Sequence, residues 1–584
     1  MRRIRTQEEL ESIVSANWDE ISQRIQAIHK YDITVKSSVM DRQVVLGDLQ
    51  GRFIQMKSCI HRESDNDRVI DINALVYALQ RLPEIATLTH KVYVLKEPKI
   101  TESSGIIEVN SQVKRRAYYD VGGELFTVAR DGDTDILDFV NCLESYSREA
   151  QKIKAKLQNG KFISREDFLH ADTPEKKNRI YAKLAGFFGG VDAEKIKKAD
   201  ESLGGRLLAL IPNMMVHEPA NIVINFDPDF AVTNNSTKAR LWSKAIEQEL
   251  SKYSGRPIAL ISSDTHTLVN CLTGFARNSQ DAILKIANAN TKIAESLKDA
   301  DVNNPSVLYC LLQQVTRTPE GRDLFKQKIA YEESLGMRFI KDRFDTNVDV
   351  QIIDIPELMR KLPKNIDPRL KFDQKRLIDS GLLILNMDYS FGMQGYHNMM
   401  GLCERLGRDI KSISIMGKAG ITRINGGRFE IMLPDFVIEQ SDAPNLHDFP
   451  NGNRLTMEDI RAVSFDGQIH DGGPMLTVPG TAMQSDIVLY HFMCGYDALG
   501  VEMEAGPYVK AIKNSYRKRR IGENVKILNK DIRMDVGYWA SDDPTNPNET
   551  LAQNHMVRGA IPSYALALAI QNNIFRSASS NWSR

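Results

Sequence analysis

The sequence predicts an α/β protein in which a mixed sheet with flanking helices is preceded by a helix-rich region and a smaller α/β region. Two features predict this class. Continuous apolar runs such as 221–226 (NIVINF) are typical of strands that are buried on both faces. These runs alternate with amphipathic stretches of helical period. Because 584 residues exceed what one core accommodates, we predict three regions, at 1–204, 205–361 and 371–584.

The helix-rich region, 1–204, opens on a helix. Thr6 and Glu9 form a T-x-x-E capping box ahead of apolar residues at helical spacing. Pro174 follows Thr173 and therefore takes the first position of another helix, where its missing N–H costs nothing. The other elements predicted for this region are a long helix at 135–158 and strands within 32–53 and at 91–95.

In the smaller α/β region, 205–361, a strand at 221–226 is followed by an amphipathic helix and by a second strand at 257–261. This spacing predicts a βαβ unit. A further apolar strand is predicted at 348–355. The segment 362–368 (LPKNIDP) contains two prolines and an asparagine, which is typical of a linker. The strands predicted after this linker lie at 381–386, 412–416, 429–438 and 536–540.

The composition argues against several classes of protein. The 76 basic and 76 acidic side chains balance, so the chain lacks the basic excess of a nucleic-acid-binding protein. The sequence shows neither a secretory signal nor an apolar run of about 18 residues, so we expect no membrane partner. The six cysteines are far apart and form no C-x-x-C pair, which predicts reduced thiols and a cytoplasmic protein.

One group of residues suited to catalysis lies in the segment 501–505 (VEMEA). Glu502 and Glu504 flank Met503 between an apolar stretch and a helix-compatible run. Such a strand-to-helix junction points side chains into the crevice at the carboxyl end of a parallel sheet.

Two further motifs are predicted to reach the same edge of the sheet. Ser541 and Asp542 directly follow the apolar strand 536–540. The stretch 413–420 (ISIMGKAG) is predicted to be a strand that runs into a glycine turn at Gly417 and Gly420. Glycines in such a turn let backbone N–H groups face an anion or a sugar.

VEMEA, a strand that ends in Ser-Asp and a strand that ends in G-x-x-G occur here in the order seen in nucleoside phosphorylases and nucleosidases. Residues 371–584 therefore resemble that superfamily. The Ser-Asp-x-Pro form at 541–544 is most similar to nucleotide-cleaving members such as AMP nucleosidase. The resemblance covers about a third of the chain. It implies a nucleoside phosphorylase-like mixed sheet and cleavage of the N-glycosidic bond of a purine nucleoside or nucleotide.

The resemblance implies that VEMEA binds the sugar. Glu504 would hold the ribose hydroxyl groups by charge-assisted hydrogen bonds. Met503 would pack on the sugar face, and Glu502 would lie beside it. Breaking the C1′–N bond leaves positive charge on the sugar, and fixed carboxylates nearby help to stabilise it.

The resemblance also implies where the proton comes from. Asp542, oriented by Ser541, would be the general acid that protonates the departing base. Proton donation of this kind typically accelerates a reaction by about 100- to 10,000-fold. Gly417 and Gly420 would form the turn that faces the anion or the attacking water.

The chain departs from the phosphorylase pattern in two places. Where such phosphorylases usually have an arginine before the glycine turn and a hydroxyl residue within it, this chain has Ile415 and Lys418. The loop after the early strand, 386–392, contains no arginine, although Asp388 within it is a candidate for substrate binding. Free phosphate thus lacks its usual ligands, and we predict hydrolysis rather than phosphorolysis. As a hypothesis, Lys418 binds the phosphates of a nucleotide substrate.

The same residues have simpler interpretations. Glu502 and Glu504 are also favoured at a helix start, next to the positive end of the helix dipole. Asp542 fits an ordinary turn before a proline, and Lys418 fits a solvated turn. The missing phosphate ligands are equally compatible with a nucleotide-binding or signalling module that has lost turnover.

A second acidic group leaves another function open. Asp227 and Asp229 follow the strand 221–226, and Asp264 follows the strand 257–261. If these strands are adjacent, their acidic ends could bind Mg²⁺ as in phosphohydrolases that use D-x-D. The basic run 517–520 (RKRR) is interpreted as a solvated face rather than a phosphate site.

For glycosidic cleavage we expect no cofactor and no metal, and the expected partner is a small-molecule nucleoside or nucleotide. The resembled superfamily commonly forms dimers or hexamers in which neighbours complete the site, so a homo-oligomer is expected. No activity is predicted for the residues before 371. A sensor, an oligomerisation unit and a cap on the active site are all compatible with them.

Overall fold

The computed structural model of the chain describes residues 6–96, 106–109, 116–120, 123–129, 133–158, 163–232, 235–297, 300–344, 346–440, 445–516, 528–546 and 556–581. These residues fold into two mixed β-sheets with helices packed around them. The predicted α/β class, with a mixed sheet and flanking helices, is therefore confirmed.

The first region of the fold, 6–232, contains the first sheet. Its helices are α1 (Gln7–Ala16), α2 (Trp18–Asp41), α3 (Leu46–Met56), α4 (Ile72–Arg81), α5 (Asp133–Gln158), α6 (Arg165–Leu169), α7 (Pro174–Phe188), α8 (Ala193–Ser202), α9 (Leu207–Val216) and α10 (Asp229–Val232). Its strands are β1 (Gln43–Val45), β2 (Lys91–Leu95), β3 (Ile106–Val109), β4 (Arg116–Asp120), β5 (Glu124–Val128) and β6 (Val223–Phe226).

Local sequence signals place several of these helices correctly. The Thr6 hydroxyl accepts a hydrogen bond from the N–H of Glu9 at 3.1 Å, and the Glu9 carboxylate accepts one from the N–H of Thr6 at 3.2 Å. This reciprocal pair is the predicted capping box, so the helix start is confirmed. Pro174 occupies the first turn of α7, as predicted. The predicted helix at 135–158 and strand at 91–95 are confirmed as α5 and β2.

The prediction of strands within 32–53 is largely wrong. The segment is helical except for β1, because α2 continues to Asp41 and α3 begins at Leu46. Tyr31, Val35 and Val39 are buried at a spacing of four residues, so one face of α2 packs against the core. Burial of that face outweighs the local alternation that favoured a strand.

In the first sheet the strands lie in the order β1-β6-β2-β5-β4-β3. The pairs β6–β2 and β2–β5 are parallel, and the outer pairs are antiparallel. Apolar residues of this sheet and of α2, α3, α4, α5, α7 and α9 form one core. Ala482 and Met483 of the second region also belong to that core, so the two regions share buried surface.

The second region, 235–581, contains the second sheet. Its helices are α11 (Asn235–Leu250), α12 (Thr267–Thr273), α13 (Phe275–Asn278), α14 (Gln280–Ala289), α15 (Thr291–Ser296), α16 (Pro305–Val315), α17 (Arg322–Ser334), α18 (Ile355–Lys361), α19 (Gln374–Ser380), α20 (Gly392–Leu406), α21 (Met457–Arg461), α22 (Asp486–Tyr496), α23 (Ala505–Ser515) and α24 (Met556–Asn581). Its strands are β7 (Ile258–Ser262), β8 (Met337–Ile340), β9 (Val350–Asp354), β10 (Leu383–Met387), β11 (Ile410–Ile421), β12 (Ile431–Leu433), β13 (Phe436–Glu439), β14 (Asn445–Asp448), β15 (Ile469–Asp471), β16 (Pro474–Thr477), β17 (Gly500–Glu502) and β18 (Arg533–Asp542).

The long strand β11 lies at the centre of the second sheet. The main path runs β14-β13-β16-β17-β11-β7-β10-β9-β8, while β18 also pairs with β11, and β12 joins β18 to β15. β11 runs parallel to β7 and to β18 and antiparallel to β17. Helices α12, α16 and α24 contribute to one core, and α11, α20 and α23 contribute to another.

The predicted βαβ unit at 221–261 is wrong. β6 pairs with β1 and β2 in the first sheet, whereas β7 pairs with β10 and β11 in the second. The residues grouped as a smaller region, 205–361, therefore contribute strands to both sheets. Residues 362–368 connect α18 to α19, and the strands before and after them, β9 and β10, are paired antiparallel. The segment is thus a loop of the second sheet rather than a link between separate sheets.

Strands predicted near the end of the chain are present, with one change. The stretch 429–438 is divided at Pro434 into β12 and β13. Proline has no N–H to give to a ladder, so it is disfavoured inside a paired strand. The two halves accordingly pair with different neighbours, β18 and β16.

Within the described parts of the chain, no helix combines the length and apolar character needed to cross a bilayer.

Candidate active site

A cavity of about 330 Å³ lies where β11, β17 and β18 end. Small-molecule sites typically enclose about 300–1,000 Å³. The loop after β10 and residues of α4 and α5 from the first region complete its wall. Of the residues predicted for the site, those that line it are Lys418, Gly420, Glu502, Met503, Glu504, Ser541 and Asp542. The structure therefore brings the three sequence motifs together in one cavity.

Strand register explains why residues distant in sequence meet here. β11 and β18 run parallel, with Ala419 beside Ala540 and Gly420 beside Asp542. β17 pairs with the end of β11 and places Val501 beside Gly420. The VEMEA junction and the Ser-Asp end of β18 are thus neighbours of the same short stretch of β11.

The predicted glycine turn is wrong, because β11 continues through both glycines to Ile421. A Cβ atom on Gly417 would lie 2.9 Å from Oε1 of Glu504, and one on Gly420 would lie 3.4 Å from Oδ2 of Asp542. Gly417 therefore leaves room for the carboxyl group of Glu504, whereas Gly420 leaves room for the Pro544 ring, 2.9 Å from its Cβ position, next to Asp542. Gly417 lies behind Glu504 and is not among the residues that line the cavity.

Glu502 supports the turn from strand to helix. Its carboxylate accepts hydrogen bonds from the N–H groups of Glu504 at 2.5 Å and Ala505 at 2.6 Å. It also accepts one from the Thr477 hydroxyl. Because α23 begins at Ala505, Glu502 satisfies N–H groups that the start of a helix leaves unpaired. The simpler helix-start interpretation therefore holds for Glu502.

Glu504 is a second buried carboxyl group, with only 4% of its surface exposed. Burial raises the pKa of Glu504 well above its usual range, and the neighbouring charge of Glu502 raises it further. Two carboxyl groups this close in a buried site do not both ionise readily. Folding therefore favours the protonated form of Glu504, and a protonated carboxyl group can both accept and donate hydrogen bonds in the cavity.

Asp542 is buried at the end of β18, where Ser541 holds its carboxyl group. The Ser541 hydroxyl lies 2.6 Å from Oδ1 of Asp542 and 3.3 Å from the carbonyl oxygen of Ala419. When Asp542 is ionised, Ser541 donates to it. When Asp542 is protonated, Ser541 can accept from it and donate to Ala419 instead. This arrangement can hold a proton at the cavity wall, as an acid catalyst requires.

Sequence reasoning missed two aromatic residues in the loop after β10. Tyr389 and Phe391 line the cavity with their rings stacked, 6.5 Å apart and inclined by 15°. Burial and the charges of Asp264 and Glu504 raise the pKa of Tyr389 well above its usual range. Tyr389 is therefore near both carboxyl groups. The pattern Y-S-F directly after an apolar strand was the available signal.

The first region supplies a wall that the sequence did not assign to the site. Tyr77 and Arg81 from α4, together with Thr134, Asp135 and Asp138 from α5, line the cavity. These residues are more than 250 positions from the other lining residues, so no local pattern connects them. Tyr-x-x-x-Arg at helical spacing was the visible signal, but many helices contain such a pair. The first region therefore covers one side of the cavity.

Hydrogen bonds hold this wall against the second region. The Arg62 guanidinium binds both carboxylate oxygens of Asp486, at 2.7 and 2.8 Å, and the carbonyl oxygen of Pro544 at 2.7 Å. The N–H of Cys59 donates to the carbonyl oxygen of Gln484 at 2.7 Å. Pro544 follows Asp542 closely and Gln484 lines the cavity. Residues 58–62 thus fix two segments of the site at once.

Two of the residues predicted for the site, Asp388 and Lys418, lie at the edge of the cavity or outside it. Asp388 follows β10 and accepts a hydrogen bond from the N–H of Tyr389 at 2.9 Å, but it does not line the cavity. Lys418 lines the cavity with an exposed side chain, and it points away from the strand face that Gly417 and Ala419 bury. Lys418 is therefore placed at the solvent side of the site.

The acidic residues considered for Mg²⁺ do not lie on adjacent strands. Asp227 follows β6 in the first sheet, whereas Asp264 follows β7 in the second. The Asp227 carboxylate accepts hydrogen bonds from the N–H groups of Asp229 at 3.0 Å and Lys96 at 3.4 Å. Within the described ranges, no three His, Cys, Asp or Glu side chains are grouped as a metal site requires. The basic run 517–520 lies outside the described residues.

Parts of the chain resemble solved structures. A 5′-methylthioadenosine/S-adenosyl homocysteine nucleosidase from Campylobacter jejuni matches 55% of this chain over 100% of its own, at 9% identity and a TM-score of 0.31. A futalosine hydrolase mutant of Helicobacter pylori strain 26695 matches 55% of this chain over 99% of its own, at 7% identity and a TM-score of 0.30. A methylthioadenosine phosphorylase from an antarctic soil metagenomic library matches 34% of this chain over 72% of its own, at 14% identity and a TM-score of 0.25. Similarity at this level implies no shared activity.

No curated protein matches the sequence. A model of the protein family described as "Family of unknown function (DUF6909)" matches residues 46–576, which span both sheets. The chain therefore belongs to that family.

Proposed function

We propose that the chain cleaves the N-glycosidic bond of a purine nucleoside or nucleotide with water. The observation that carries this proposal is the meeting of Glu504 and the Ser541–Asp542 pair in one cavity of about 330 Å³. Cleavage requires a proton for the leaving base and polar groups for the sugar. The cavity contains a carboxyl group suited to each task.

In the proposed reaction, Asp542 protonates the base as the C1′–N bond breaks. Ser541 keeps the Asp542 carboxyl group in one orientation through their 2.6 Å hydrogen bond. Acid catalysis of this kind typically contributes about 100- to 10,000-fold. The electron pair of the C1′–N bond leaves with the base, and the proton from Asp542 neutralises the charge that this creates. Water then bonds to C1′ through its oxygen and passes a proton to the Asp542 carboxylate, which restores the acid.

On the sugar side, Glu504 bonds the ribose hydroxyl groups. Held neutral by burial and by Glu502, it can both donate to and accept from a sugar hydroxyl. Met503, which also lines the cavity, packs on the sugar face. Glu502 acts through Glu504, because its carboxylate holds the backbone N–H of that residue at 2.5 Å.

The charges in the cavity favour water over phosphate as the nucleophile. The lining cations are Arg81 and Lys418, whereas five acidic residues line the same space: Asp135, Asp138, Glu502, Glu504 and Asp542. A phosphate ion that attacked C1′ would have to lie among these carboxyl groups, which outnumber the cations, and each one that is ionised would repel it. Lys418, at the solvent side, is proposed to meet the phosphate of a nucleotide substrate outside that cluster.

The test is to incubate the full chain with nucleosides and 5′-nucleotides, with EDTA or with Mg²⁺, and to separate the products by chromatography. Free base released in EDTA supports the proposal. Phosphate released only with Mg²⁺ would contradict it and favour a phosphohydrolase. Binding without any product would favour a nucleotide-binding module. A homo-oligomeric state, a cytoplasmic location and independence of cofactors and metals stay predictions.

A further inference from the structure

Tyr77 and Arg81 lie one turn apart on α4, so they share one face of that helix and both reach the cavity. The guanidinium carbon of Arg81 lies 3.6 Å from the centre of the Tyr77 ring. An Nη1 hydrogen of Arg81 also donates to the carbonyl oxygen of Tyr77 at 3.3 Å. Stacking and hydrogen bonding together restrict the guanidinium plane, which leaves its other N–H groups for a ligand.

Arg81 has no ion-pair partner among the residues that the structure describes. Its half-buried side chain contrasts with Arg62 of the same region, whose guanidinium binds Asp486 through two hydrogen bonds. A guanidinium has five N–H donors and no acceptor. Most of the Arg81 donors are therefore available to acceptor atoms of a molecule in the cavity.

The position of the pair indicates which part of the substrate it meets. Arg62, which precedes α4, donates to the carbonyl oxygen of Pro544 at 2.7 Å, so the first region contacts the second two residues after Asp542. The charge of Asp542 also acts on the Tyr77 hydroxyl, which agrees with a place for Tyr77 and its stacked arginine on the Asp542 side of the cavity. Asp542 is proposed to protonate the leaving base. Glu504 and Tyr389, by contrast, mark the sugar side. Arg81 thus lies where the base would be.

The neighbouring charges indicate the chemistry of the acceptor. The charge of Asp138 acts on Tyr77 beside Arg81, and it would repel an anionic ligand there. A neutral carbonyl oxygen avoids that repulsion and still accepts from a guanidinium. Guanine presents acceptors at both O6 and N7, whereas adenine presents an N6 amino group that can only donate. Hypoxanthine shares O6 and N7 with guanine.

We propose that Arg81 of the first region selects substrates with a 6-oxopurine base, hypoxanthine or guanine, by donating to O6. This inference rests on the proposed function and names its substrate class. Arg81 is a specificity-determining residue, whereas Asp542 carries out the chemistry. The first region would thereby decide which base the second region releases.

The experiment compares base release from inosine, guanosine and adenosine by the full chain and by Arg81→Gln. A glutamine side chain offers an acceptor as well as donors, so it tolerates a 6-amino group. We expect the unmodified chain to favour inosine over adenosine in kcat/KM by about 10- to 100-fold, because adenosine would leave the Arg81 donor without an acceptor at position 6 of the base. Arg81→Gln should remove most of this preference by lowering the value for inosine. Arg68→Gln, an exposed arginine of the same region, is the matched control.

The inosine-to-adenosine ratio and the IMP-to-inosine ratio of kcat/KM distinguish base selection by Arg81 from phosphate binding by Arg81. Equal kcat/KM values for inosine and adenosine in the unmodified chain would overturn the proposal that Arg81 selects the base, and so would a preference that survives Arg81→Gln. Neither result would contradict the proposed hydrolysis. A loss of preference for IMP over inosine, with the inosine-to-adenosine ratio unchanged, would assign Arg81 to phosphate and would also overturn it. If Arg81→Gln does not fold, Arg81→Lys keeps a single donor centre and should show an intermediate preference.

Calorimetric titration with free hypoxanthine and free adenine tests recognition without turnover. Binding of hypoxanthine that weakens at least tenfold in Arg81→Gln, with adenine binding unchanged, would support the inference even if no nucleoside were cleaved. In that case the proposed hydrolysis would fail while base recognition would stand. Equal binding of both bases would overturn the recognition.

Discussion

Both regions bury glutamates, and the surroundings of Glu149 in the first region and of Glu504 in the second shift the pKa of these residues in opposite directions. In the first region, Glu149 on α5 contacts His61 at 2.6 Å and Lys152 at 2.7 Å. Burial alone would raise the pKa of Glu149, but hydrogen bonds and charges from these two partners outweigh it and lower the pKa. Glu149 also accepts from the N–H of Asp71 at 2.8 Å.

In the second region, Glu504 has the opposite surroundings. Its nearest charged neighbour is the carboxyl group of Glu502, and burial and that neighbour together raise its pKa well above the usual range. Two deeply buried glutamates thus have pKa values shifted in opposite directions. The charged partner, rather than the depth of burial, therefore distinguishes a structural carboxylate from one suited to a substrate.

The largest expected effect comes from removing the acid. Asp542→Asn should lower base release by about 100- to 10,000-fold, because the amide cannot give up a proton, while substrate binding persists. Release is measured by chromatography of the free base, and binding by calorimetry. Asp531→Asn, an exposed aspartate just before β18, is the control. Base release at the unmodified rate in Asp542→Asn would show that the catalytic assignment is wrong.

The next largest effect is expected at Glu149, the buried carboxyl group that contacts His61 and Lys152. Glu149→Gln should lower the free energy of unfolding by about 3–5 kcal/mol, because it leaves the buried Lys152 without its counter-charge. The folded-state pKa of Glu149 is lowered. Its contribution is therefore present above the unfolded pKa and is lost as the pH falls through the folded pKa.

Urea unfolding from pH 7 to acidic pH checks this, and the two proteins should converge in stability as the pH falls. A constant difference between them would mean that Glu149 is not the ionised partner. Glu63→Gln, a half-buried glutamate of the same region, serves as the comparison.

A third test separates the two glutamates of VEMEA. Glu502→Gln should lower the free energy of unfolding by about 1–3 kcal/mol, because one amide oxygen cannot replace a carboxylate that accepts from Glu504, Ala505 and Thr477. Glu504→Gln should leave stability unchanged or higher at neutral and alkaline pH. A group whose folded pKa is raised contributes stability below its unfolded pKa and loses it as the pH rises.

Thermal unfolding at pH 6 and pH 9, together with base release, distinguishes these outcomes. We expect Glu504→Gln to lose activity without losing stability, and Glu502→Gln to lose both. The same loss of stability in both variants would contradict the division between a supporting and a substrate-binding glutamate.

The smallest effect concerns the exposed cation. Lys418→Ala should reduce the preference for a nucleotide over the matching nucleoside by less than about fivefold, because ion pairs in contact with solvent contribute about 0–1 kcal/mol. The ratio of kcat/KM for IMP and inosine measures it, and added salt should shrink the same ratio in the unmodified chain. Lys411→Ala, on the same strand but far from the cavity, is the control. An unchanged ratio would remove Lys418 from phosphate binding.

Local signals in the sequence were sufficient to predict many strands of the second sheet. Apolar runs marked β7, β9, β10 and β18 within one to three residues at each end. The residues proposed from VEMEA and Ser-Asp all line one cavity, because they occupy the ends of strands that pair with β11. A strand end is visible as the point where an apolar run stops, and that point also decides what faces the crevice.

Other features depended on pairing between distant residues. The helical state of 32–53, the separation of β6 from β7 and the continuation of β11 through Gly417 and Gly420 all follow from neighbours that no short window contains. A glycine beside a polar residue is typical of a turn. Here Gly417 and Gly420 instead lie within a strand, with Glu504 and Asp542 packed against them.

The α/β class, the strand ends and the acidic residues at those ends could be predicted from the sequence alone. The signals for them, hydrophobic periodicity and turn residues, extend over only a few positions. Only the tertiary structure decided that Glu502 supports while Glu504 faces the cavity, and that Arg81 and Tyr77 complete the wall. The contact between Arg62 and Asp486 joins positions 424 residues apart. Contacts at such separations arise from the packing of one sheet against another, which local propensity does not record.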